Sequence, residues 1–252
     1  MTNLKNQNIL VTGASKGIGK AIASHLIENG ANVALHYNTD KFGAKSVIND
    51  QLQSGSKLFQ ANLEESQQVA SLFENVIKEY KTIDTIVLNA GIYKEHPLEQ
   101  SLDDWFNTWK ITMKINLDSI GILTKLAINH FRNDGGGRLI YIGSRAAFRG
   151  ETEEYLAYAA SKGGVTSLAR SVARSFGKDN IKAFVIAPGF TKTQMADSFI
   201  EKYGEERVLN ELSLNELTEP SHIAPLVGLM CSGQMDHATG STIDINAGSH
   251  IR

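Results

Sequence analysis

Short apolar runs recur along this 252-residue chain, and longer stretches with helical spacing separate them. Runs so short and so continuously apolar are typical of strands that are buried on both faces, as in a parallel sheet. The alternation predicts an α/β fold: a doubly wound, Rossmann-like parallel sheet with helices on both faces. The predicted strands are Ile9–Val11, Val33–Tyr37, Lys57–Ala61, Thr85–Leu88, Arg138–Ile142, Ala183–Ile186 and Thr242–Ile245.

The stretches between these runs predict helices over residues 19–29, 69–80, 102–131 and 155–177. The third is long enough to predict a helix that is bent or interrupted. The chain has 4 prolines and no repeat or linker-like tract. Residues 1–252 are therefore expected to form a single dinucleotide-binding and catalytic domain.

Bulk composition limits the kinds of partner that we expect. The net charge of −2 and the lack of a Lys/Arg block argue against a nucleic-acid surface. Neither a signal peptide nor an apolar run of membrane-spanning length is evident, so we expect a cytoplasmic location and no membrane contact. The one cysteine, Cys231, excludes an intramolecular disulfide and argues against a cysteine-based metal site.

A glycine-rich turn lies between the first predicted strand and the first predicted helix. A helix N-terminus offers unpaired N–H groups and the positive end of a dipole, and small residues let a pyrophosphate approach the backbone. The same spacing also occurs in ordinary tight turns, but its place at the start of a βαβ unit favours a dinucleotide site. The expected contacts are Gly13, Ser15, Lys16, Gly17, Ile18 and Gly19.

The end of the second strand bears on which dinucleotide binds. Sites for NAD usually carry an acidic residue there, and this chain has His36 and Tyr37. A Lys16 ammonium could meet a 2′-phosphate, and Asn38 could add a hydrogen bond. NADP(H) is therefore favoured over NAD(H), although Asp40 lies close enough to keep NAD open and Lys16 could be a solvated surface lysine.

Ser144 follows a predicted strand, and Tyr158 and Lys162 stand four residues apart on one predicted helix face. A nearby ammonium is expected to lower the tyrosine pKa, which suits proton transfer to or from an alcohol or carbonyl oxygen. A serine hydroxyl could stabilise charge on that oxygen. The Tyr–Lys spacing alone also arises by chance, so the prediction depends on its combination with the glycine turn.

Over nearly its whole length the chain resembles the short-chain dehydrogenase/reductase family. The carrying motifs are the turn Thr12–Gly19, Asn89-Ala90-Gly91, Ser144 with Tyr158 and Lys162, and Pro188-Gly189. The resemblance implies that Asn116 completes a catalytic tetrad, that no metal takes part and that the assembly is a homotetramer. It implies further cofactor contacts at Tyr37, Asn38, Asn62, Leu63, Asn89, Ala90, Gly91, Tyr158, Lys162, Pro188, Gly189, Thr191 and Thr193.

Within the family the chain looks most like 3-oxoacyl-[acyl-carrier-protein] reductases, which implies an NADP(H)-dependent carbonyl reductase of fatty acid biosynthesis acting on a 3-oxoacyl thioester. Arg174 falls where those reductases meet the acyl carrier protein, or is simply an exposed helix arginine. Arg145 and Arg149 leave open a dehydrogenase of a sugar, a sugar acid or another small polar alcohol. A non-catalytic cofactor-binding regulator is disfavoured because it would have no chemical need for the intact tetrad.

The segment 191–217 is polar and amphipathic, and we expect it to form a substrate lid. Arg145 and Phe148 follow the predicted catalytic serine and are expected to border the substrate. Met195 is expected to face the substrate from the lid.

Overall fold

A parallel β-sheet organises the chain in the computed structural model, which describes residues 2–49, 55–194, 200 and 204–252. Its seven strands are arranged in the order β3-β2-β1-β4-β5-β6-β7. The predicted α/β fold is therefore confirmed as one Rossmann-like domain. The strands are β1 (Asn8–Val11), β2 (Asn32–Tyr37), β3 (Lys57–Gln60), β4 (Thr85–Leu88), β5 (Gly137–Ile142), β6 (Ile181–Pro188) and β7 (Thr242–Ile245).

Helices cover both faces of the sheet and divide the core into two apolar layers. Helices α3, α5 and α7 pack on one face, where Phe73, Phe131 and Val165 are buried. Helices α1 and α9 pack on the other, with Leu26 and Val227. The helices are α1 (Gly17–Glu28), α2 (Lys41–Asn49), α3 (Ser66–Tyr80), α4 (Leu102–Met113), α5 (Ser119–Asn133), α6 (Ala146–Arg149), α7 (Leu156–Phe176), α8 (Glu205–Leu209) and α9 (Pro220–Cys231).

The long predicted helix is interrupted, as expected. Helix α4 leads without a loop into a π-helical segment, Lys114–Asp118, and α5 continues from there. A π turn widens the helix by one residue and is frequent at functional sites. The buried Asn116 lies in the middle of this segment.

Among the described residues, three helices have no counterpart in the sequence prediction: α2, α6 and α9. Helix α2 is short, and α9 begins at Pro220 and contains Pro225, which makes its pattern hard to recognise. Strand β6 is also longer than predicted. In the part of the chain that the structure describes, none of the helices is both long and apolar enough to cross a bilayer.

The predicted lid segment starts and ends at neighbouring points. Thr191 and Thr218 form a parallel bridge, and the Lys192 N–H donates to the Thr218 carbonyl at 2.9 Å. Val208 and Leu217 are buried in a small cluster that is separate from the two sheet layers. The described part of the segment is therefore anchored at its base beside the carboxyl end of β6.

Candidate active site

A cleft of about 590 Å³ opens at the carboxyl edge of the sheet, beside β1 and β4. The strand order reverses between these two strands, which is where open α/β sheets bind ligands. A second groove of about 480 Å³ lies between β3 and α3 and contains none of the predicted site residues. Predicted residues that line the cleft are Gly13, Ser15, Lys16, Gly17, Ile18, Gly19, Asn38, Asn62, Leu63, Asn89, Ala90, Gly91, Ser144, Arg145, Tyr158, Lys162, Pro188, Gly189, Thr191 and Thr193.

The glycine turn forms a tight cradle at the start of α1. Gly13 takes φ +66°, a conformation that favours glycine. A Cβ at Gly19 would lie 2.1 Å from the Gly13 carbonyl oxygen, so the packing of the turn excludes any side chain there. Lys16 is the N-cap, and its side chain does not cap the helix. The first N–H groups of α1 therefore remain available for an anion such as a pyrophosphate.

Strand β4 and the glycine turn are held together through Thr12. Its hydroxyl oxygen accepts hydrogen bonds from the N–H groups of Asn89 at 2.9 Å and Ala90 at 3.0 Å. The Asn89 side chain donates back to the Thr12 carbonyl at 2.8 Å. These bonds fix Asn89-Ala90-Gly91 against the turn, at the point where the sheet order reverses.

A buried histidine, which the sequence did not single out as a contact, supports the same turn. His36 Nδ1 accepts from the Gly13 N–H at 3.0 Å, and its Nε2 lies 3.1 Å from the Ala61 carbonyl oxygen. Burial lowers the pKa of His36 to about 4, so the ring is neutral near pH 7. Accepting from Gly13 places its proton on Nε2, which then donates to Ala61.

The residues that follow His36 were predicted to decide between NAD and NADP, and they differ in whether they reach the cleft. Tyr37 is buried and does not line the cleft, whereas Asn38, Thr39 and Asp40 do. Asp40 Oδ1 accepts from the Gly43 N–H at 2.8 Å, so this carboxylate caps the start of α2.

Ser144, Tyr158 and Lys162 meet in the cleft. Ser144 follows β5 by two residues, and the other two lie on the first turns of α7. The Ser144 side chain lies near enough to the Tyr158 hydroxyl to lower its pKa. Lys162 is buried, and its Nζ lies 5.8 Å from the centroid of the Tyr158 ring.

The electrostatics of this group differ from the sequence expectation. Burial raises the pKa of Tyr158 to about 12, while the Ser144 side chain acts in the opposite direction. Burial also lowers the pKa of Lys162 to about 8. The expected lowering of the tyrosine pKa by the lysine is therefore wrong: burial dominates, Lys162 is not among the causes of the shift, and Tyr158 is a neutral phenol near pH 7.

Asn116 lies behind the cleft and is fully buried. Its Oδ1 accepts from the Ile92 N–H at 2.8 Å and its Nδ2 donates to the Ile92 carbonyl at 2.9 Å. A Cβ at Gly91 would lie 3.3 Å from Asn116 Oδ1 and 3.6 Å from Lys162 Nζ. Asn116 Oδ1 and Lys162 Nζ therefore both lie next to Gly91.

The two arginines after Ser144 are occupied by one carboxylate from the lid segment. Arg145 Nη2 and Arg149 Nη1 donate to Glu211 Oε2 at 2.9 and 3.2 Å. Arg145 is buried and stacks on Phe190, with 4.6 Å between the guanidinium carbon and the ring centroid. Within the described residues its Nη1 has no hydrogen-bond partner.

The remaining predicted contacts lie elsewhere. Phe148 does not line the cleft: the guanidinium carbon of Arg252 lies 3.7 Å from its ring centroid. Met195 lies outside the described residues. Arg174 is exposed near the end of α7.

Several cleft residues escaped the sequence reasoning, chiefly Tyr93 and Glu151. Tyr93 stacks on Tyr155 at 3.8 Å between ring centroids and meets Tyr158 edge-on at 4.7 Å. No residue pattern pointed to Glu151, because it reaches the cleft only through the turn at Gly150. In the described part of the chain, no group of three or more His, Cys, Asp or Glu side chains could hold a metal ion.

The fold and the cleft define a nicotinamide-dependent oxidoreductase of the doubly wound α/β class. Comparisons with known proteins make this specific. A family model described as enoyl-(acyl carrier protein) reductase matches residues 13–250. The chain belongs to the short-chain dehydrogenase/reductase family.

The relatives include both sequences and solved structures. A 3-oxoacyl-[acyl-carrier-protein] reductase of Salmonella typhimurium is 32% identical over 242 residues, which is 96% of each chain. A short chain dehydrogenase from Burkholderia cenocepacia, solved with NADP, has a TM-score of 0.88 and 26% identity, and covers 98% of this chain and 99% of its own. A 7α-hydroxysteroid dehydrogenase, solved with NADH and 7-oxo glycochenodeoxycholic acid, has a TM-score of 0.89 and 26% identity, with coverages of 98% and 95%.

Proposed function

We propose that this enzyme reduces a ketone to an alcohol with NADPH, and that its substrate is a 3-oxoacyl thioester. The observation that carries the reaction type is the meeting of Ser144, Tyr158 and Lys162 beside the glycine turn. The substrate class is supported by the 32% identity to a 3-oxoacyl-[acyl-carrier-protein] reductase. An intact set of proton-transfer groups disfavours a regulator without turnover.

The side chains of the cleft supply the proton chemistry. The nicotinamide cofactor, when bound, supplies the hydride. Tyr158 is a neutral phenol near pH 7, so it can donate its proton to the carbonyl oxygen of the substrate. Ser144 donates a hydrogen bond to the same oxygen and stabilises its growing charge. We assign the return of the proton to Lys162, which has a pKa of about 8 and lies in the same cleft, while Asn116 holds the backbone of Ile92.

The proposed preference for NADPH depends on the mouth of the cleft near α2. Lys16, Asn38 and Thr39 line it, and the carboxylate of Asp40 is engaged by the Gly43 N–H. A 2′-phosphate there would meet the ammonium of Lys16, which favours the phosphorylated cofactor. We expect Lys16→Gln to weaken NADPH binding by about tenfold and to leave NADH binding unchanged. The control is Lys125→Gln, which removes an exposed lysine on α5. A preference of the wild-type enzyme for NADH would overturn the assignment of NADPH.

A panel of carbonyl compounds tests the substrate class. Acetoacetyl and longer 3-oxoacyl thioesters are compared with ketoses and uronates, following NADPH consumption. Turnover of the thioesters alone supports the proposal, and failure on every thioester removes it. Ketose or uronate turnover would instead support the second candidate, a dehydrogenase of sugars or small polar alcohols, which the charged residues Arg145 and Glu151 at the cleft favour.

Arg174 is the proposed contact for an acyl carrier protein, because it is exposed on α7. Arg174→Glu should raise KM for a carrier-bound thioester about tenfold through charge repulsion. The KM for the matching N-acetylcysteamine thioester, which has no carrier, should stay the same. Equal effects on both substrates would contradict a carrier-protein contact and leave Arg174 as a surface arginine.

We also propose a homotetramer, which exposed apolar side chains on α4 support. Leu102 and Phe106 lie one turn apart and are 79% and 48% exposed. Such neighbours on one helix face are suited to a contact between subunits. Analytical ultracentrifugation of the wild type and of a Leu102→Glu, Phe106→Glu variant tests this assembly. The cytoplasmic location stays a prediction from composition.

A further inference from the structure

The substrate end of the cleft contains a carboxylate whose position the sequence did not reveal. Gly150 takes φ +81° directly after α6, and the turn that it makes brings Glu151 to the cleft wall. Glu151 is partly buried there, and its charge acts on both Tyr158 and Tyr93. Glu151 and the Tyr158 hydroxyl therefore share one cleft.

The cations nearest to Glu151 are engaged with another residue. Arg145 and Arg149 both donate to Glu211, and among the described residues no ion pair within 4.0 Å involves Glu151. The backbone of Thr152 has only a small lowering effect on the pKa of the Glu151 carboxyl. Burial raises the pKa of the Glu151 carboxyl, although both guanidinium groups oppose this effect. A carboxylate in this setting retains acceptor capacity directed at the cleft.

The effect of such a group depends on what the substrate places against it. An alkyl chain would displace the water around Glu151 and leave its oxygens without donors, which is unfavourable. A hydroxyl group at the same point would donate a hydrogen bond to the carboxylate. Such a bond is stronger than one between two neutral groups, because the acceptor is charged. Sites built to hold a hydroxyl reject the analogue that lacks it much more strongly than apolar pockets reject an extra methylene.

We propose that Glu151 determines specificity at the substrate end and selects ketones that carry a hydroxyl group next to the reacting carbonyl over those that carry a plain alkyl group. The proposal rests on the proposed carbonyl reduction. It limits the proposed 3-oxoacyl thioester substrates to those whose acyl groups are short or hydroxylated.

A matched pair of substrates tests the selection. The N-acetylcysteamine thioesters of 4-hydroxy-3-oxobutanoate and 3-oxopentanoate differ only by a hydroxyl in place of a methyl group. We expect the wild-type enzyme to favour the hydroxylated member by about tenfold or more in kcat/KM. Glu151→Leu should invert this ratio, and Glu151→Gln, which keeps an acceptor oxygen, should retain part of it. Glu153→Gln removes an exposed charge that does not line the cleft and should leave the ratio unchanged.

The outcomes separate the two proposals. Equal use of both thioesters by the wild type, or an unchanged ratio in Glu151→Leu, overturns the role of Glu151 while carbonyl reduction stands. If the wild type reduces neither thioester nor any other ketone of the panel, carbonyl reduction fails and the role of Glu151 fails with it. NADPH binding and Tm of each variant show that the fold is intact, and the near-isosteric Glu151→Gln decides the matter if Glu151→Leu does not fold.

Discussion

The Lys162 ammonium donates a hydrogen bond to the backbone carbonyl oxygen of Ile142, 2.8 Å away. Ile142 is the last residue of β5, so the carboxyl edge of the sheet fixes the position of the buried cation. The bond satisfies one of the three donors of the ammonium. Burial nevertheless lowers the pKa of Lys162 to about 8, because the charged form is poorly solvated. Burial of the charged Lys162 therefore lowers the stability of the folded protein, but it supplies a proton donor to the cleft.

Replacing this lysine should stabilise the cofactor-free protein while removing its activity. The unfolded chain holds the lysine proton up to its ordinary pKa near 10.5, whereas the folded protein releases it near 8. Unfolding thus takes up a proton between these values, so stability rises with pH across that window and the charged lysine is destabilising below it. We expect Lys162→Met to raise the free energy of unfolding by at most about 3 kcal/mol at pH 7.

Urea unfolding at pH 7 and pH 10 measures this difference. The gain in Lys162→Met should be smaller at pH 10, where the wild-type lysine is neutral in the folded state. Lys178→Met, an exposed lysine after α7, should show no such pH dependence. A loss of stability in Lys162→Met at pH 7 would count against this account.

The alkaline side of the pH–rate profile should follow the same group. In the direction of ketone reduction, kcat/KM should fall as the pH rises past about 8, because Lys162 loses the proton that it returns to Tyr158. Tyr158, with a pKa of about 12, remains protonated over this range. A profile that is flat from pH 7 to pH 10 would exclude this role for Lys162.

Tyr158→Phe removes the proposed proton donor, so it should lower kcat about a thousandfold and leave NADPH affinity unchanged.

Much of the architecture follows from local patterns. Runs such as Thr85–Leu88 are too short and too apolar to be anything but buried strands, and the fully buried β4 agrees. The glycine turn and the Tyr158–Lys162 spacing are encoded in neighbouring residues, so the sequence displays them directly. Helix α9 was missed because Pro225 and a nearly all-apolar composition hide its periodicity.

Contacts between distant segments were not predictable in the same way. His36 supports the glycine turn through Gly13, 23 residues away, and nothing near either residue in the sequence signals the bond. The pKa of Tyr158 was expected to fall because a cation stands four residues on, but its sign depends on burial, which only the packed structure reveals. Glu151 likewise depends on the conformation of Gly150.

The close approach of Gly19 to Gly13 gives a sharp test of the cofactor cradle. A Cβ at Gly19 would lie 2.1 Å from a backbone oxygen and 2.4 Å from Asn89 Nδ2, so the turn must open to admit a methyl group. We expect Gly19→Ala to reduce NADPH affinity by at least about tenfold. Gly121→Ala, on α5 where a Cβ meets nothing within 4 Å, should bind NADPH normally and gain up to about 1 kcal/mol in stability. Fluorescence titration with NADPH compares the two, and equal affinities would refute the cradle.

A buried histidine outside the cleft is expected to position Tyr158. His96 Nε2 accepts from the Ala157 N–H at 3.0 Å, one of the first N–H groups of α7. The N-cap residue of this helix, Tyr155, offers no side-chain cap, so His96 takes that role. Burial lowers the pKa of His96 and keeps it in the neutral form that can accept this bond. Loss of the bond should loosen the turn that holds Tyr158 against Ser144.

Three variants distinguish positioning from a purely structural contribution of His96. His96→Met removes the acceptor and should lower kcat about threefold to tenfold, with an unchanged KM for NADPH, because small displacements of a catalytic group are costly. His96→Gln places an oxygen near the former Nε2 and should restore most of kcat. The control is His222→Met. His222 caps α9 by accepting from the Glu219 N–H at 3.1 Å, so this variant should lower Tm without changing kcat. If His96→Met and His222→Met lower Tm alike and neither alters kcat, the contribution of His96 is to stability alone.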